Sequence, residues 1–186
     1  MKKTREYGVN DLPGHCKKKS GGSAYSTWLA MLARCYSGRY KAYEGCTVCE
    51  DWLLFSNFKR FYDEFWRDGF ELDKDILIPG NKVYSPSTCI YVPRKINGFV
   101  ISNSSRMGKY PTGVYYNKRD KAFIATIMDG RKSRYIGSFD NPMSAHMAWH
   151  ARKVEQTIAL KKECDEVSPI LFERLMVKVM SMRIAE

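Results

Sequence analysis

The stretch GVYYNKRDKAFIATIMDGRKSRYIGSFD, residues 113–140, decides the fold. Three β-prone runs, Gly113–Tyr116, Ala122–Met128 and Ser133–Phe139, are separated by two polar turns, Lys118-Arg119-Asp120 and Asp129-Gly130-Arg131. A period of two in the middle run puts Phe123, Ala125 and Ile127 on one face and Ile124, Thr126 and Met128 on the other. Asn141-Pro142 then supplies an N-cap with proline in the first turn, so a helix is predicted from Pro142 to about Lys162. Its small Ala145 and Ala148 allow close approach to a sheet, with Phe123, Ala125, Ile127, Ile136 and Phe139 as partners. The opposite sheet face is then left to solvent. Tyr115, Asn117, Arg119, Thr126, Met128, Ser133 and Tyr135 are its candidates, with Lys118, Lys121, Arg131, Lys132 and Arg134 around them.

Charge gives that face a partner class. The chain has 31 Lys and Arg against 20 Asp and Glu, a net +11, which is the balance of a polyanion binder. The excess is local. Between Arg106 and Tyr135 stand Arg106, Lys109, Lys118, Arg119, Lys121, Arg131, Lys132 and Arg134, opposed by Asp120 and Asp129 alone. A small sheet enters the DNA major groove, side chains on base edges and flanking cations on phosphates. A basic sheet also suits RNA or a protein partner, and composition does not separate these. The basic residues do not line one amphipathic helix, no apolar run is long enough for a bilayer span, and Met1–Glu6 lacks a signal-peptide core. A cytoplasmic protein with no membrane partner is expected.

Upstream the character changes. Residues 1–24 are polar and basic and read as a loosely ordered arm. Trp28, Leu29, Met31, Leu32 and Cys35 recur at helical spacing, with Ser26 or Thr27 as cap. A second helical stripe runs Trp52, Leu53, Phe55, Phe58, Phe61, Tyr62, Phe65 and Trp66, an aromatic-rich core pattern. Leu72–Leu77, the turn Pro79-Gly80-Asn81 and Cys89–Val92 read as a hairpin. Cys46-x₂-Cys49 with Cys35 and Cys89 is conceivable as structural zinc, but no second paired motif follows, so buried thiols are the favoured reading. His146 and His150 are four apart on the predicted helix, yet Met147 holds the position of a zincin glutamate, which favours packing.

Two resemblances add to this. Gly113-Val114-Tyr115, Phe123-Ile124-Ala125-Thr126-Ile127, Tyr135-Ile136-Gly137-Ser138-Phe139-Asp140, Ala145 and Trp149 resemble the plant ethylene-response-factor (apetala-two) DNA-binding domain, over about 50 residues. The resemblance implies the same docking mode but not the same base preference. Tyr115 stands where the family has arginine, and Thr126 and Met128 where it has glutamate and arginine. Trp28, Met31, Arg34-Cys35-Tyr36, Gly45-Cys46-Thr47-Val48-Cys49, Trp52, Leu72-Asp73-Lys74-Asp75-Ile76-Leu77, Gly80-Asn81-Lys82, Tyr84-Ser85-Pro86 and Cys89 resemble a module of phage proteins of the HNH or homing-endonuclease type.

That second resemblance implies a nuclease, and the residues argue against it. An HNH site needs a histidine general base and a divalent metal against the scissile phosphate. The histidines are His15, His146 and His150, none near residues 72–92, and Thr88 stands where related sequences often carry asparagine. Asp73, Asp75 and Asn81 could still bind magnesium as a carboxylate-based site, or else cap and turn a structural hairpin.

The expected class is therefore α+β. A basic arm (1–24) precedes a degenerate HNH-like helical and hairpin module (25–100) and a linker (101–110); a three-stranded antiparallel sheet packed on a helix (111–165) and a C-terminal amphipathic helix (166–186) complete the chain. The expected function is sequence-specific binding of double-stranded DNA by a phage or phage-satellite protein in a bacterial host cell, as a transcriptional repressor descended from a homing endonuclease, without a cofactor. The alternatives are an active magnesium-dependent homing-type endonuclease and an RNA-binding or protein-docking module. The stripe Leu171, Leu175, Met176 and Val179 packs on its own domain or forms a homodimer.

Overall fold

The structure is a computed structural model that describes residues 7–12, 14, 23–100, 109–130 and 132–182. His15, Cys16, Arg106 and Arg131 lie outside the described residues. The architecture is mixed α+β in two units, Met1–Asn97 and Gly98–Glu186.

In the first unit, α1 (Ala24–Tyr36) starts one turn earlier than expected. Ser23 is the N-cap, in a reciprocal capping box with Ser26. The aromatic stripe is not one helix. It forms α2 (Glu50–Leu53) and α3 (Phe55–Phe65), separated by extended Leu54. The reason lies in the supposed arm: Val9 bridges Leu54 in parallel, its N–H donating to Leu53 O at 2.8 Å and its carbonyl accepting from Phe55 N at 2.9 Å. Tyr7 stacks on Tyr36 at 4.5 Å, and Asp11 accepts from Ser56 N at 2.9 Å. Residues 7–12 are thus part of the first unit, a correction to the free-arm reading. Gly8 is required there, because a Cβ would meet the Trp28 ring at 2.5 Å.

The expected hairpin is wider than its turn implied. Strand β2 (Phe70–Asp73) pairs antiparallel with β4 (Ile90–Pro93), while between them β3 (Val83–Tyr84) pairs parallel with β1 (Thr47–Val48). Pro79-Gly80-Asn81 turns the chain within that excursion, with Gly80 at φ +75° and Asn81 N donating to Ile78 O. Trp28, Trp52, Phe55 and Phe58 fill the core, tied by the Trp28 indole N–H donating to Trp52 O at 2.7 Å.

Helix α4 (Arg94–Val100) runs across the boundary between the units. In the second unit β5 (Val114–Asn117), β6 (Ala122–Asp129) and β7 (Lys132–Phe139) form one antiparallel sheet in the order 5-6-7. Helix α5 (Pro142–Ala159) covers one face, burying Ala125, Ile127, Ala145 and Trp149 with Val114, Phe123, Ile136 and Phe139 against them. Its cap is as expected: Asn141 accepts from Ser144 N at 2.8 Å and Pro142 follows. It ends earlier than Lys162, because Leu160 breaks the helix and α6 (Lys161–Val167) begins anew. The last helix, α7 (Leu171–Met180), packs on α5 and α6 and fully buries Leu171, Leu175 and Val179. It belongs to the sheet unit instead of forming a separate segment. No helix among the described residues is long and apolar enough to cross a membrane.

Candidate nucleic-acid interface

Register decides which side chains share a face. Opposed residues on neighbouring strands point the same way, so Val114, Ala125 and Gly137 face the helix, whereas Tyr115, Ile124 and Ser138 face away. Beyond this row a bulge intervenes: Ala125 pairs with Gly137 but Thr126 pairs with Tyr135, leaving Ile136 as the extra residue. Strict alternation would put Ile136 and Phe139 on opposite faces. The bulge lets both reach the core while Tyr135 turns outward beside Thr126.

Two glycines of the motif have steric reasons. Gly113 has φ +83°, and a Cβ there would lie 2.2 Å from the Trp149 indole. At Gly137 a Cβ would approach the Phe139 ring at 3.0 Å. The two histidines of α5 are structural: His146 is buried with Nδ1 2.9 Å from Thr112 O, and His150 Nε2 is 3.1 Å from Val179 O. They anchor the loop before β5 and the end of α7 to α5.

The outer face carries Tyr115 at 49% exposure, Met128 at 57% and Tyr135 at 66%, with half-buried Thr126 and exposed Ser133. Ile124, in the central row, is only 5% exposed. None of these side chains is charged. The cations lie at the rim. Lys118, Arg119 and Lys121 occupy the β5–β6 turn, where Lys121 takes a left-handed conformation, φ +49°, at a cost of about 1 kcal/mol.

Asn117, expected to read DNA, closes that turn instead. Its Oδ1 accepts from Arg119 N at 3.0 Å and its Nδ2 donates to Asp120 Oδ2 at 2.6 Å. Arg119 pairs with Asp120 at 2.8 Å. Lys132 and Arg134 alternate with Ser133 and Tyr135, which sends them to the helix side. There Arg134 lies 3.5 Å from Asp129 and lines a cleft of about 590 Å³ with Ile127, Ile136, Gln156 and Arg152. Among the described residues, Lys118, Lys121 and Lys132 have no carboxylate within ion-pair distance. Arg152 was not singled out by the sequence reading. Its helical spacing from Trp149, three residues on, is the signal that would have placed it beside the sheet.

The alternative catalytic residues fall in one loop of the first unit, each engaged in building it. Asp73 Oδ1 accepts from the backbone N–H groups of Asp75 and Ile76 at 2.7 and 2.6 Å. Both Asp75 oxygens accept from the buried Lys74 ammonium at 2.8 Å, and that ammonium also donates to Asn81 O. The Asn81 amide donates to Lys74 O and Val83 O. A fixed cation on Asp75 disfavours a metal ion at the same carboxylate. Cys35, Cys46, Cys49 and Cys89 are free thiols, and no group of three metal-ligating side chains among the described residues could hold an ion. Burial pushes the Cys35 and Cys89 thiols up to about 12, with Cys46 adding to the effect at Cys35, so both are protonated at neutral pH. No protein-family model, no curated protein and no solved structure matches the chain.

Proposed function

We propose that the second unit binds double-stranded DNA by inserting the outer face of β5–β7 into the major groove, and that the protein acts as a sequence-specific regulator, a repressor by promoter occupancy. The observation that carries this reading is the division of labour on the sheet: an exposed, uncharged face rimmed by cations at its turns. Uncharged side chains reach base edges without the desolvation cost of an unpaired charge, while rim cations neutralise phosphates. Lys118 and Lys121 serve one end of the sheet. Lys132 opens β7 at the other end, while Arg134, near Asp129, and Arg152, paired with Glu155, line the cleft on the helix side and take no part in the docking face. The resemblance to the ethylene-response-factor domain supports the same docking mode. Descent from a phage homing endonuclease is consistent with a loop whose carboxylates now build structure.

A second reading has its own observation. Tyr115 and Tyr135 are exposed rings on one face, the arrangement of a stacking platform for single-stranded RNA or DNA. Gel-shift competition separates the two. Duplex DNA outcompeting RNA and single strands of equal length is the expected result; the reverse order would sink the duplex reading. In the same experiment, incubation of bound DNA with magnesium is expected to leave it uncut. Specific cleavage abolished by Asp73→Ala would restore the nuclease alternative.

A further inference from the structure

Resting on the duplex-DNA reading of the sheet, we propose that its outer face selects thymine-rich sites by contact with the thymine C5-methyl, and does not read guanine. Guanine presents two acceptors in the major groove and is discriminated best by the fork of an arginine or by a lysine. Among the described residues, the cations of the strands and of the β5–β6 turn are displaced from the outer face. Lys118 and Lys121 lie in the turn beyond the strand ends, Arg119 is paired with Asp120, and Lys132 and Arg134 alternate to the helix side. Adenine is read best by a free carboxamide, but the Asn117 amide is bonded within its turn.

Among the described residues, what remains is the thioether of Met128, the rings of Tyr115 and Tyr135, and the hydroxyls of Thr126, Ser133 and Ser138. Hydroxyls bond either base pair and discriminate little. The thioether, the rings and the Thr126 methyl are soft apolar surface, and the apolar group that the standard bases display in the major groove is the thymine methyl. The register puts Thr126 opposite Tyr135 and Met128 opposite Ser133, so these contacts are neighbours at the free end of the β6–β7 hairpin.

The experiment is selection of the full chain on a random duplex library, followed by binding to the winning duplex with each thymidine replaced by deoxyuridine. An A·T-rich core is expected, with affinity falling roughly fourfold for each methyl lost from the contact. Met128→Ala should bring the thymidine-to-deoxyuridine ratio toward one, whereas Lys118→Ala should weaken both duplexes by the same factor. A G·C core, or deoxyuridine bound as tightly as thymidine, would overturn the specificity while leaving duplex binding intact. Failure to bind any duplex would overturn the underlying reading and this inference with it.

Discussion

The two units use their polar side chains in opposite ways. In the first, polar groups close on one another around an aromatic core: Asp73 caps a turn, Asp75 holds a buried lysine, Asn81 clamps two carbonyls and Asp11 ties the N-terminal segment to α3. In the second, the core is small and two histidines of α5 and its N-cap asparagine help to build it, which leaves Tyr115, Met128, Ser133 and Tyr135 of the outer sheet face uncommitted. The lesson is that aspartates and an asparagine clustered in sequence are not a site when each already has an internal partner. Side chains left outward by a register are the better candidates.

The sharpest way to break this comparison is at Gly113. An alanine there is strained by the positive φ and collides with Trp149. Gly113→Ala should destabilise the second unit by about 2–4 kcal/mol, from overpacking and left-handed strain together, and DNA affinity should fall with the folded fraction. Denaturant unfolding followed beside DNA binding checks it. Wild-type stability in this variant would mean that the β5 strand does not pack on α5 as described.

The next effect is on affinity alone. Lys118→Ala with Lys121→Ala removes two rim cations from an exposed turn, so folding should be unchanged. If both contact phosphates, the slope of log affinity against log salt should fall by about 1.8, and the loss should be the same on all sequences. A sequence-dependent loss would move these lysines from the rim to the reading face. An unchanged slope would place the phosphate contacts elsewhere.

Much of the second unit was legible because its signals are local. Alternation in Phe123–Met128 gave the buried face, and Asn141-Pro142 gave the helix start. The bulge was not legible as such, yet its trace was there: Ile136 and Phe139 could both be core residues only if strict alternation failed. Charge was less legible: the sequence places Lys132 and Arg134 only around the reading face, and it is the register that sends them to the helix side. In the first unit the decisive contacts are long-range. Nothing local in Gly8-Val9-Asn10 shows that it splits the aromatic stripe at Leu54, 45 residues downstream. The parallel pairing of β1 with β3 is equally silent in a two-residue strand.

Asp73 tests the structural side of the comparison at lower cost. Asp73→Ala removes an acceptor for two backbone N–H groups and should destabilise the first unit by roughly 1–3 kcal/mol. DNA affinity should be unchanged. Asp73→Asn, which keeps an acceptor oxygen, should recover most of the stability. Loss of a magnesium-dependent activity with stability unchanged would reverse the assignment.

The smallest effect at ordinary pH comes from the buried thiols. Burial raises Cys35 and Cys89 to about 12, above the value near 9 of an exposed thiol, so the folded state favours their neutral form. The unfolded state releases these protons first. Their contribution is therefore fully present below about pH 9 and is lost as pH rises through 12. Stability of the first unit should be flat with respect to these groups from pH 6 to 8 and decline above 9, with Cys35→Ser and Cys89→Ser flattening the decline. Alkylation at pH 8 should be slower at these two positions in the native protein than in denaturant, whether or not zinc is present. Rapid native labelling that zinc suppresses would mean that Cys35, Cys46, Cys49 and Cys89 form a metal site, and would give the first unit a ligand-binding role beside that of the sheet.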